Sequence, residues 1–246
     1  MPTVTATDGT ELAYHVRGEG EPLVVLPGGP MRASTYLGDL GGLSAHRRLI
    51  LLDLRGTGDS AVPADRASYR CDRLVDDVEV LRAHMGLDHM DLLAHSAGGS
   101  LAMLYAARHP ERVARLTLIT ATPWALDMPA TPEDRLAAAR LRKGEPWFED
   151  AFGPFEAWLA GEGAFDPAAT RAALADLPAP VLVLAGELDG GPRPDLARRA
   201  ADVFRDAESA VQPGAGHYPW LDDPEWFVRR VTAFLDGRSG SLPSAE

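Results

Sequence analysis

Residues 91–100, DLLAHSAGGS, pass from an apolar run to a cluster of small residues, and Ser96 lies at the change. The apolar run has the length of a buried strand, and the segment that follows, AGGSLAMLYAARHP, has the composition of a helix. Ser96 is therefore expected where a strand turns sharply into a helix. Such a turn projects a serine hydroxyl beyond the carboxyl edge of a sheet, and large neighbouring side chains would collide there. This crowding explains the small residues around the serine.

Apolar runs of strand length recur on both sides of this stretch. They are ELAYHV, PLVVL and RLILLDL before it, and VARLTLITA, APVLVLAG and ESAVQP after it. Amphipathic segments alternate with these runs. In one of them Leu74, Val78 and Leu81 share a stripe, with Asp72 as a candidate cap and Gly86 as the expected end. Short apolar strands that alternate with amphipathic helices predict an α/β fold with a mostly parallel, doubly wound sheet.

The alternation stops between residues 122 and 178, where Pro, Ala, acidic and aromatic residues dominate. We expect residues 1–121 and 179–246 to form one core and residues 122–178 to form a short helical lid inserted into it. The aromatic residues of this span either pack within the lid or line a substrate pocket. On the second interpretation, the candidate substrate-binding residues are Trp124, Trp147, Phe148 and Phe152.

A serine nucleophile needs an imidazole to accept its proton and a carboxylate to orient that imidazole. His217 is the candidate base, because QPGAGHYPW places it on a glycine-rich loop after the last strand. The other histidines have structural interpretations. His95 directly precedes Ser96, so its side chain is expected to point to the opposite side and to pack or form hydrogen bonds.

The candidate acid lies in VLVLAGELDGG, just after a buried strand. Ligands and catalytic groups of a doubly wound sheet collect at the carboxyl ends of its strands. Asp189 is the preferred residue, and Glu187 and Asp195 remain open alternatives. With any of these acids the chain order is nucleophile, acid, base.

Acyl transfer also requires donors for the oxyanion that develops in the transition state. Pro27 and Pro30 of the loop LPGGP have no N–H group, so Gly29 is the candidate donor there. The N–H group of Ala97, directly after the nucleophile, is the second candidate. The alternative interpretation of LPGGP is a tight turn without a catalytic role.

The formal net charge of -12 argues against nucleic acid or an anionic membrane surface as a partner, because both require a positive protein surface. No apolar run is long enough to span a membrane, and the amino terminus lacks the pattern of a secretory leader, so we expect a cytoplasmic protein. The lone cysteine, Cys71, is expected in the core. Since no Cys/His cluster has metal-site spacing, we expect neither a metal nor another cofactor. The expected partner is a small-molecule substrate, and the oligomeric state stays open.

With these residues placed, the chain resembles the α/β-hydrolase superfamily over nearly its whole length. PGGP is similar to the His-Gly-Gly-Pro oxyanion loop of the prolyl aminopeptidase-related branch, and residues 53–60, DLRGTGDS, resemble that branch's Asp-x-Arg-Gly-x-Gly-x-Ser turn. The second segment is usually structural in such proteins. The chain departs from the branch at Pro27, where the family has histidine, at Ala94, where it has glycine, and at Ala97, where it usually has tryptophan.

The resemblance implies a serine hydrolase with a Ser-His-Asp triad that cleaves an ester, lactone or amide bond of a small, partly apolar molecule. Ser96 argues against epoxide hydrolase and haloalkane dehalogenase activity, since those branches place an aspartate there. Three alternatives remain. They are a biosynthetic cyclase or lyase that uses the same cavity, a peptidase similar to prolyl aminopeptidases, and a ligand receptor without catalysis.

Overall fold

An eight-stranded sheet organises the chain in the computed structural model, which describes residues 1–29, 31–128 and 165–237. The strands are β1 (Thr3–Thr5), β2 (Glu11–Arg17), β3 (Pro22–Leu26), β4 (Arg48–Leu52), β5 (Met90–His95), β6 (Val113–Ile119), β7 (Val181–Gly186) and β8 (Ala207–Gln212). Their order in the sheet is β1-β2-β4-β3-β5-β6-β7-β8. β2 pairs antiparallel with both β1 and β4, and the remaining pairs, from β4–β3 to β7–β8, are parallel. The predicted mostly parallel α/β sheet is confirmed.

The central strands are apolar at nearly every position because both faces of the sheet are covered. In β3, Val24 and Leu26 belong to the hydrophobic cluster on one face, and Leu23 and Val25 belong to the cluster on the other. All four side chains are fully buried. A strand buried on both faces needs a continuous apolar run, which is the pattern that the sequence shows.

Helices cover the two faces of the sheet. They are α1 (Leu74–His84), α2 (Gly98–Arg108), α3 (Pro167–Ala175), α4 (Pro194–Ala201), α5 (Pro219–Asp222) and α6 (Pro224–Leu235). The first four contribute residues to the cluster that contains Val24, and the last two contribute residues to the cluster that contains Leu23. This distribution is the doubly wound arrangement. None of the helices in the described ranges is long and apolar enough to cross a membrane.

Helix α1 differs from its prediction in the residue at its amino-terminal cap. Its stripe of buried residues and its end at Gly86, which has φ +67°, are as predicted, but Asp72 is not its cap. Arg73 precedes the first helical residue and makes no side-chain cap bond. The Asp72 carboxylate instead accepts two hydrogen bonds from the Arg70 guanidinium, at 2.9 and 2.8 Å. Asp72 lies one residue before the cap position, inside a turn in which the Leu74 N–H donates to the Arg70 carbonyl at 3.3 Å.

The predicted lid, residues 122–178, is described only at its two ends. At its carboxyl end, α3 packs against α2, and Leu174 is fully buried in the main hydrophobic cluster. Asp166 caps this helix by accepting a hydrogen bond from the N–H of Ala169 at 3.0 Å. Trp147, Phe148 and Phe152 lie outside the described residues. The lid itself stays a prediction.

Candidate active site

Ser96 follows β5 directly and has φ +52°, in the left-handed region that residues with a side chain rarely adopt. Neighbouring strand ends hold this turn in place. The Ser96 N–H donates to the carbonyl of Ile119 at 3.0 Å, and the Ser96 carbonyl accepts from the N–H of Thr122 at 2.9 Å. The residue is only 1% exposed. The surrounding hydrogen bonds therefore fix a strained backbone conformation.

The small residues around Ser96 allow close packing of backbone segments. A Cβ atom on Gly98 would lie 2.5 Å from the Pro27 carbonyl oxygen, and a Cβ atom on Gly99 would overlap that of Ala121. A Cβ atom on Gly28 would lie 2.7 Å from the Cβ of Ser96. Glycine at these positions lets the loop after β3 and the start of α2 approach the serine.

Three loops at the carboxyl edge of the sheet bring the predicted serine, histidine and aspartate together. His217 Nδ1 lies 2.8 Å from Asp189 Oδ2, and His217 Nε2 lies 3.0 Å from Ser96 Oγ. A carboxylate only accepts hydrogen bonds, so the proton is on Nδ1, and Nε2 of the neutral ring can accept the serine proton. The Asp189 side chain is 2% exposed, and its other oxygen accepts from the Gly191 N–H at 2.9 Å.

The two alternative acids lie in other contacts. The Glu187 carboxylate accepts from the N–H of Gly214 at 2.8 Å, and Asp195 is an exposed partner of Arg193 at 3.5 Å. Asp189 is the one of the three carboxylates that hydrogen-bonds to His217. The fold, rather than the local sequence, makes this distinction.

The loop after β3 lies against the serine and carries the predicted donor Gly29. The N–H of Gly28 donates to the Tyr36 hydroxyl at 2.8 Å, so it is already used. Gly29 has φ +120°, which a residue with a side chain would adopt only with strain. Ala97 directly precedes α2. Within the described residues, the N–H groups of Gly29 and Ala97 donate to no protein acceptor.

His95 forms hydrogen bonds with both ring nitrogens and packs among aromatic rings, in agreement with its interpretation as a packing or hydrogen-bonding residue. His95 Nε2 lies 3.0 Å from the carbonyl oxygen of His217, and its Nδ1 lies 2.6 Å from the Tyr36 hydroxyl. The Thr120 hydroxyl donates to the same His217 carbonyl at 3.1 Å. Sequence reasoning missed Tyr36 and Thr120. Thr120 directly follows β6, whose carboxyl end lies beside that of β5. This position in the sequence could have identified Thr120 as a neighbour of the site.

Trp124, a candidate substrate-binding residue, lies in a short 3₁₀ turn at the start of the predicted lid. It is partly buried and packs against the main hydrophobic cluster. Its packing in the described residues is thus with the core. A contact with substrate stays a prediction for this residue.

The segment DLRGTGDS forms a hydrogen-bonded turn beside β4. Asp53 accepts from the N–H groups of Ser34 and Asp59 and pairs with His15 at 3.0 Å. Burial acts to raise the pKa of Asp53, but the hydrogen bonds from Asp59 and Ser34 outweigh it and hold this pKa below its usual range. A side chain on Gly58, at φ +52°, would clash with the Asp53 carboxylate. The segment therefore stabilises the fold.

His15, Asp53 and Asp59 also form a group whose ligand atoms lie close enough to hold a metal ion. Both oxygens of Asp53 accept backbone N–H groups, and His15 Nε2 lies 3.0 Å from one of them. The arrangement is thus explained by its internal hydrogen bonds.

The chain is similar to several known proteins. A family model described as the alpha/beta hydrolase fold matches residues 21–138. The chain is 27% identical over 284 residues to a proline iminopeptidase of Lactobacillus helveticus, which covers 93% of this chain and 95% of the relative. It is 29% identical over 262 residues to a 2-hydroxymuconate semialdehyde hydrolase of Pseudomonas putida, with 92% and 91% covered.

A solved structure of a thermophilic esterase from Thermogutta terrifontis is also similar, with a TM-score of 0.72 and 25% identity. That similarity covers 97% of this chain and 99% of the esterase. The described sheet and its flanking helices are thus those of the α/β-hydrolase fold. All three relatives are named as hydrolytic enzymes, and the names indicate different substrates.

Proposed function

Because the chain is a member of the α/β-hydrolase superfamily near its prolyl aminopeptidase branch, we propose that it is a serine hydrolase of ester, lactone or amide bonds. The observation that carries the proposal is the pair of hydrogen bonds from Ser96 to His217 and from His217 to Asp189, at 3.0 and 2.8 Å. This is the arrangement that a nucleophile, a general base and its orienting acid require.

In the proposed reaction, Ser96 Oγ attacks the substrate carbonyl carbon while His217 Nε2 takes the hydroxyl proton. The Asp189 carboxylate stabilises the imidazolium that forms. His217 then donates the proton to the leaving group as the carbon–heteroatom bond breaks, which leaves an acyl group on Ser96. His217 deprotonates a water molecule that attacks this acyl group. The bond from the acyl carbon to Ser96 Oγ then breaks, His217 returns the proton to Ser96 Oγ, and the acid is released. His217 takes up and returns every proton in this scheme, so the mechanism requires no cofactor.

The N–H groups of Gly29 and Ala97 are the proposed oxyanion donors. Gly28 lies against the Cβ of Ser96, so the Gly29 peptide is close to the attacked carbonyl. Ala97 lies at the amino terminus of α2, where the helix dipole favours negative charge. Two such donors in a site shielded from water are worth several kcal/mol in the transition state.

We also propose that residues 122–178 act as a lid over this edge of the sheet and admit a small, partly apolar substrate. The supporting observation is their aromatic content, with Trp124, Trp147, Phe148 and Phe152 as candidate contacts. An apolar lining would exclude water and strengthen the electrostatic interactions of the acyl transfer.

The first test is a comparison of the wild type with Ser96→Ala. We expect kcat for p-nitrophenyl esters to fall by about a million-fold while the fold persists, because the serine hydroxyl makes the covalent bond. A fluorophosphonate probe should add mass to Ser96 in the wild type and not in the variant. Ser209→Ala, at an exposed position of β8, is the matched control and should behave as wild type. Full activity of Ser96→Ala on a true substrate would contradict the mechanism.

A prolyl-aminopeptidase-like activity is the second candidate, and the full-length similarity to proline iminopeptidases favours it. A panel of acyl esters, lactones and proline arylamides separates the two. Preference for proline arylamides would assign the peptidase activity. Probe labelling of Ser96 without turnover of any member of the panel would instead favour a cyclase or lyase that uses the same cavity.

A further inference from the structure

A continuous path of hydrogen bonds joins the loop after β3 to the loop that carries His217. The Gly28 N–H donates to the Tyr36 hydroxyl at 2.8 Å, and this hydroxyl lies 2.6 Å from His95 Nδ1. His95 Nε2 lies 3.0 Å from the His217 carbonyl oxygen. We call these four groups the Tyr36–His95 relay. The relay connects Gly28, which precedes the proposed donor Gly29, with the backbone of the proposed base His217. The proposed mechanism itself does not use the side chains of Tyr36 and His95.

The partners fix the direction of every bond in the relay. A carbonyl oxygen only accepts, so His95 Nε2 carries a proton and donates to the His217 carbonyl. In the neutral ring, Nδ1 is then an acceptor, and it receives the proton of the Tyr36 hydroxyl. The Tyr36 oxygen accepts from the Gly28 N–H. Each group thus makes a hydrogen bond of the type its chemistry allows, and no charge is required.

The His217 carbonyl is held a second time by Thr120. Its hydroxyl donates to that oxygen at 3.1 Å, and Thr120 itself has φ +42°. The Thr120 N–H donates to the Leu184 carbonyl at 2.7 Å, which ties this strained residue to β7. Side chains from the ends of β5 and β6 therefore fix the backbone of the His217 loop from two directions.

Packing around the relay limits its movement. The His95 ring contacts the Trp220 ring edge-on, with centroids 4.8 Å apart, and lies 5.4 Å from the Tyr218 ring. The guanidinium of Arg32 covers the Tyr36 ring at 4.1 Å. His95 is 2% exposed and Trp220 is 1% exposed. A side chain enclosed in this way has few alternative rotamers. The hydrogen bonds of His95 can therefore fix the positions of the Tyr36 hydroxyl and the His217 carbonyl.

We propose that Tyr36 and His95 are positioning residues for the acyl transfer. This inference rests on the proposed function. Tyr36 holds the Gly28 peptide beside Ser96 and so sets the place of the Gly29 donor, while His95 holds the backbone of His217. The relay links the two, so that oxyanion donor and base keep a fixed separation during the reaction. A misplacement of about 1 Å at such groups costs about 100-fold in rate.

The first test is Tyr36→Phe, which removes the hydroxyl and keeps the ring beneath Arg32. We expect kcat for p-nitrophenyl butyrate to fall by about 10- to 100-fold with KM changed by less than about twofold, because the loss falls on the transition state. The rate of fluorophosphonate labelling, expressed per site finally labelled, should fall in parallel. If the variant were only partly unfolded, fewer sites would be labelled in the end, but the labelling rate per labelled site would equal that of the wild type.

Tyr14→Phe is the matched control. Tyr14 is buried and, like the partly buried Tyr36, forms a hydrogen bond to a histidine, His84 Nε2, at 3.1 Å with an edge-on ring contact. This pair lies outside the relay, so its loss should leave kcat and the labelling rate unchanged. Rates of Tyr36→Phe that equal those of Tyr14→Phe would overturn the proposal.

Variants of His95 keep the proposal testable if Tyr36→Phe does not fold. An asparagine oxygen can take the place of Nδ1 and accept from Tyr36, and a glutamine nitrogen can take the place of Nε2 and donate to His217. We expect His95→Asn and His95→Gln to label more slowly than wild type but faster than His95→Ala. Labelling of His95→Ala at the wild-type rate would refute the relay. If wild-type Ser96 itself does not label, the proposed function fails and this inference fails with it.

Discussion

At the scale of the residue, the backbone conformation of Ser96 is unfavourable for a residue with a side chain. Its φ of +52° places the Cβ atom where an L-residue is disfavoured by about 1–2 kcal/mol. The hydrogen bonds to Ile119 and Thr122 hold the residue there. A strained turn at a buried serine is consistent with a residue selected for the direction of its hydroxyl rather than for stability.

A comparison of Ser96→Gly with Ser96→Ala tests this strain. Both variants lack the hydroxyl, but glycine adopts positive φ without a steric penalty. The absence of this penalty raises the free energy of unfolding, but part of the increase is lost because glycine has more conformational freedom in the unfolded chain. We expect Ser96→Gly to be more stable than Ser96→Ala by up to about 1 kcal/mol in urea unfolding. A less stable glycine variant would show that the turn is not strained.

At the scale of the element, the junction of β5 and α2 depends on the close approach of the helix to β6. Gly99 faces Ala121 so closely that no Cβ atom fits without movement. Ala121 follows β6, and the end of this strand also carries Thr120. The position of α2, with the Ala97 N–H at its start, is therefore set by a glycine contact.

Gly99→Ala should push α2 away from this strand. Alanine is ordinarily preferred over glycine inside a helix by about 0.5–1 kcal/mol, but overpacking costs about 1–3 kcal/mol. We expect a net loss of unfolding free energy, measured by urea denaturation. Gly190→Ala is the control, because a Cβ atom there meets nothing within 4 Å, and it should be neutral or slightly stabilising. An equal gain in both variants would contradict the packing argument.

At the scale of the whole molecule, carboxylates of different exposure tie separate elements together. Glu79 of α1 accepts hydrogen bonds from Arg82 and from the Tyr105 hydroxyl of α2. The bond from Arg82 is the main cause that lowers the pKa of Glu79 from 4.5 to about 2. Burial acts to raise the pKa of Asp8, but hydrogen bonds from Thr10 and Arg55 lower it to about 2. Such groups make stability depend on pH.

The sign for Glu79 follows from its lowered pKa. Its contribution is complete above pH 4.5, where the carboxylate is ionised in both states, and is lost as the pH falls toward 2. We expect Glu79→Gln to show a smaller drop in unfolding free energy between pH 5 and pH 3 than the wild type, with urea denaturation as the measurement. Glu225→Gln, at an exposed pair with Arg229, should keep the wild-type drop. An unchanged drop in Glu79→Gln would contradict the assignment.

Much of the fold was predictable from local patterns. Apolar runs such as PLVVL predict strands because burial on both faces of a sheet requires apolar side chains at successive positions. The predicted cap Asp72 was wrong, since the cap position is at Arg73 and the Asp72 carboxylate pairs with Arg70, and local propensity sets a helix boundary only to within a residue or two. The position of Ser96 at a strand–helix junction was also predictable, because the small residues required there are adjacent in sequence.

The sequence by itself determined the α/β class, the strands and the sharp turn at Ser96, since each depends on residues within a few positions of one another. Only the tertiary structure decided that Asp189, rather than Glu187, contacts His217 and that Tyr36 and Thr120 join the neighbourhood of Ser96. The contact of Tyr36 with His95 joins residues 59 positions apart, and that of Thr120 with His217 joins residues 97 positions apart. The order of strands in the sheet sets which loops meet, and that order arises from the packing of the whole chain.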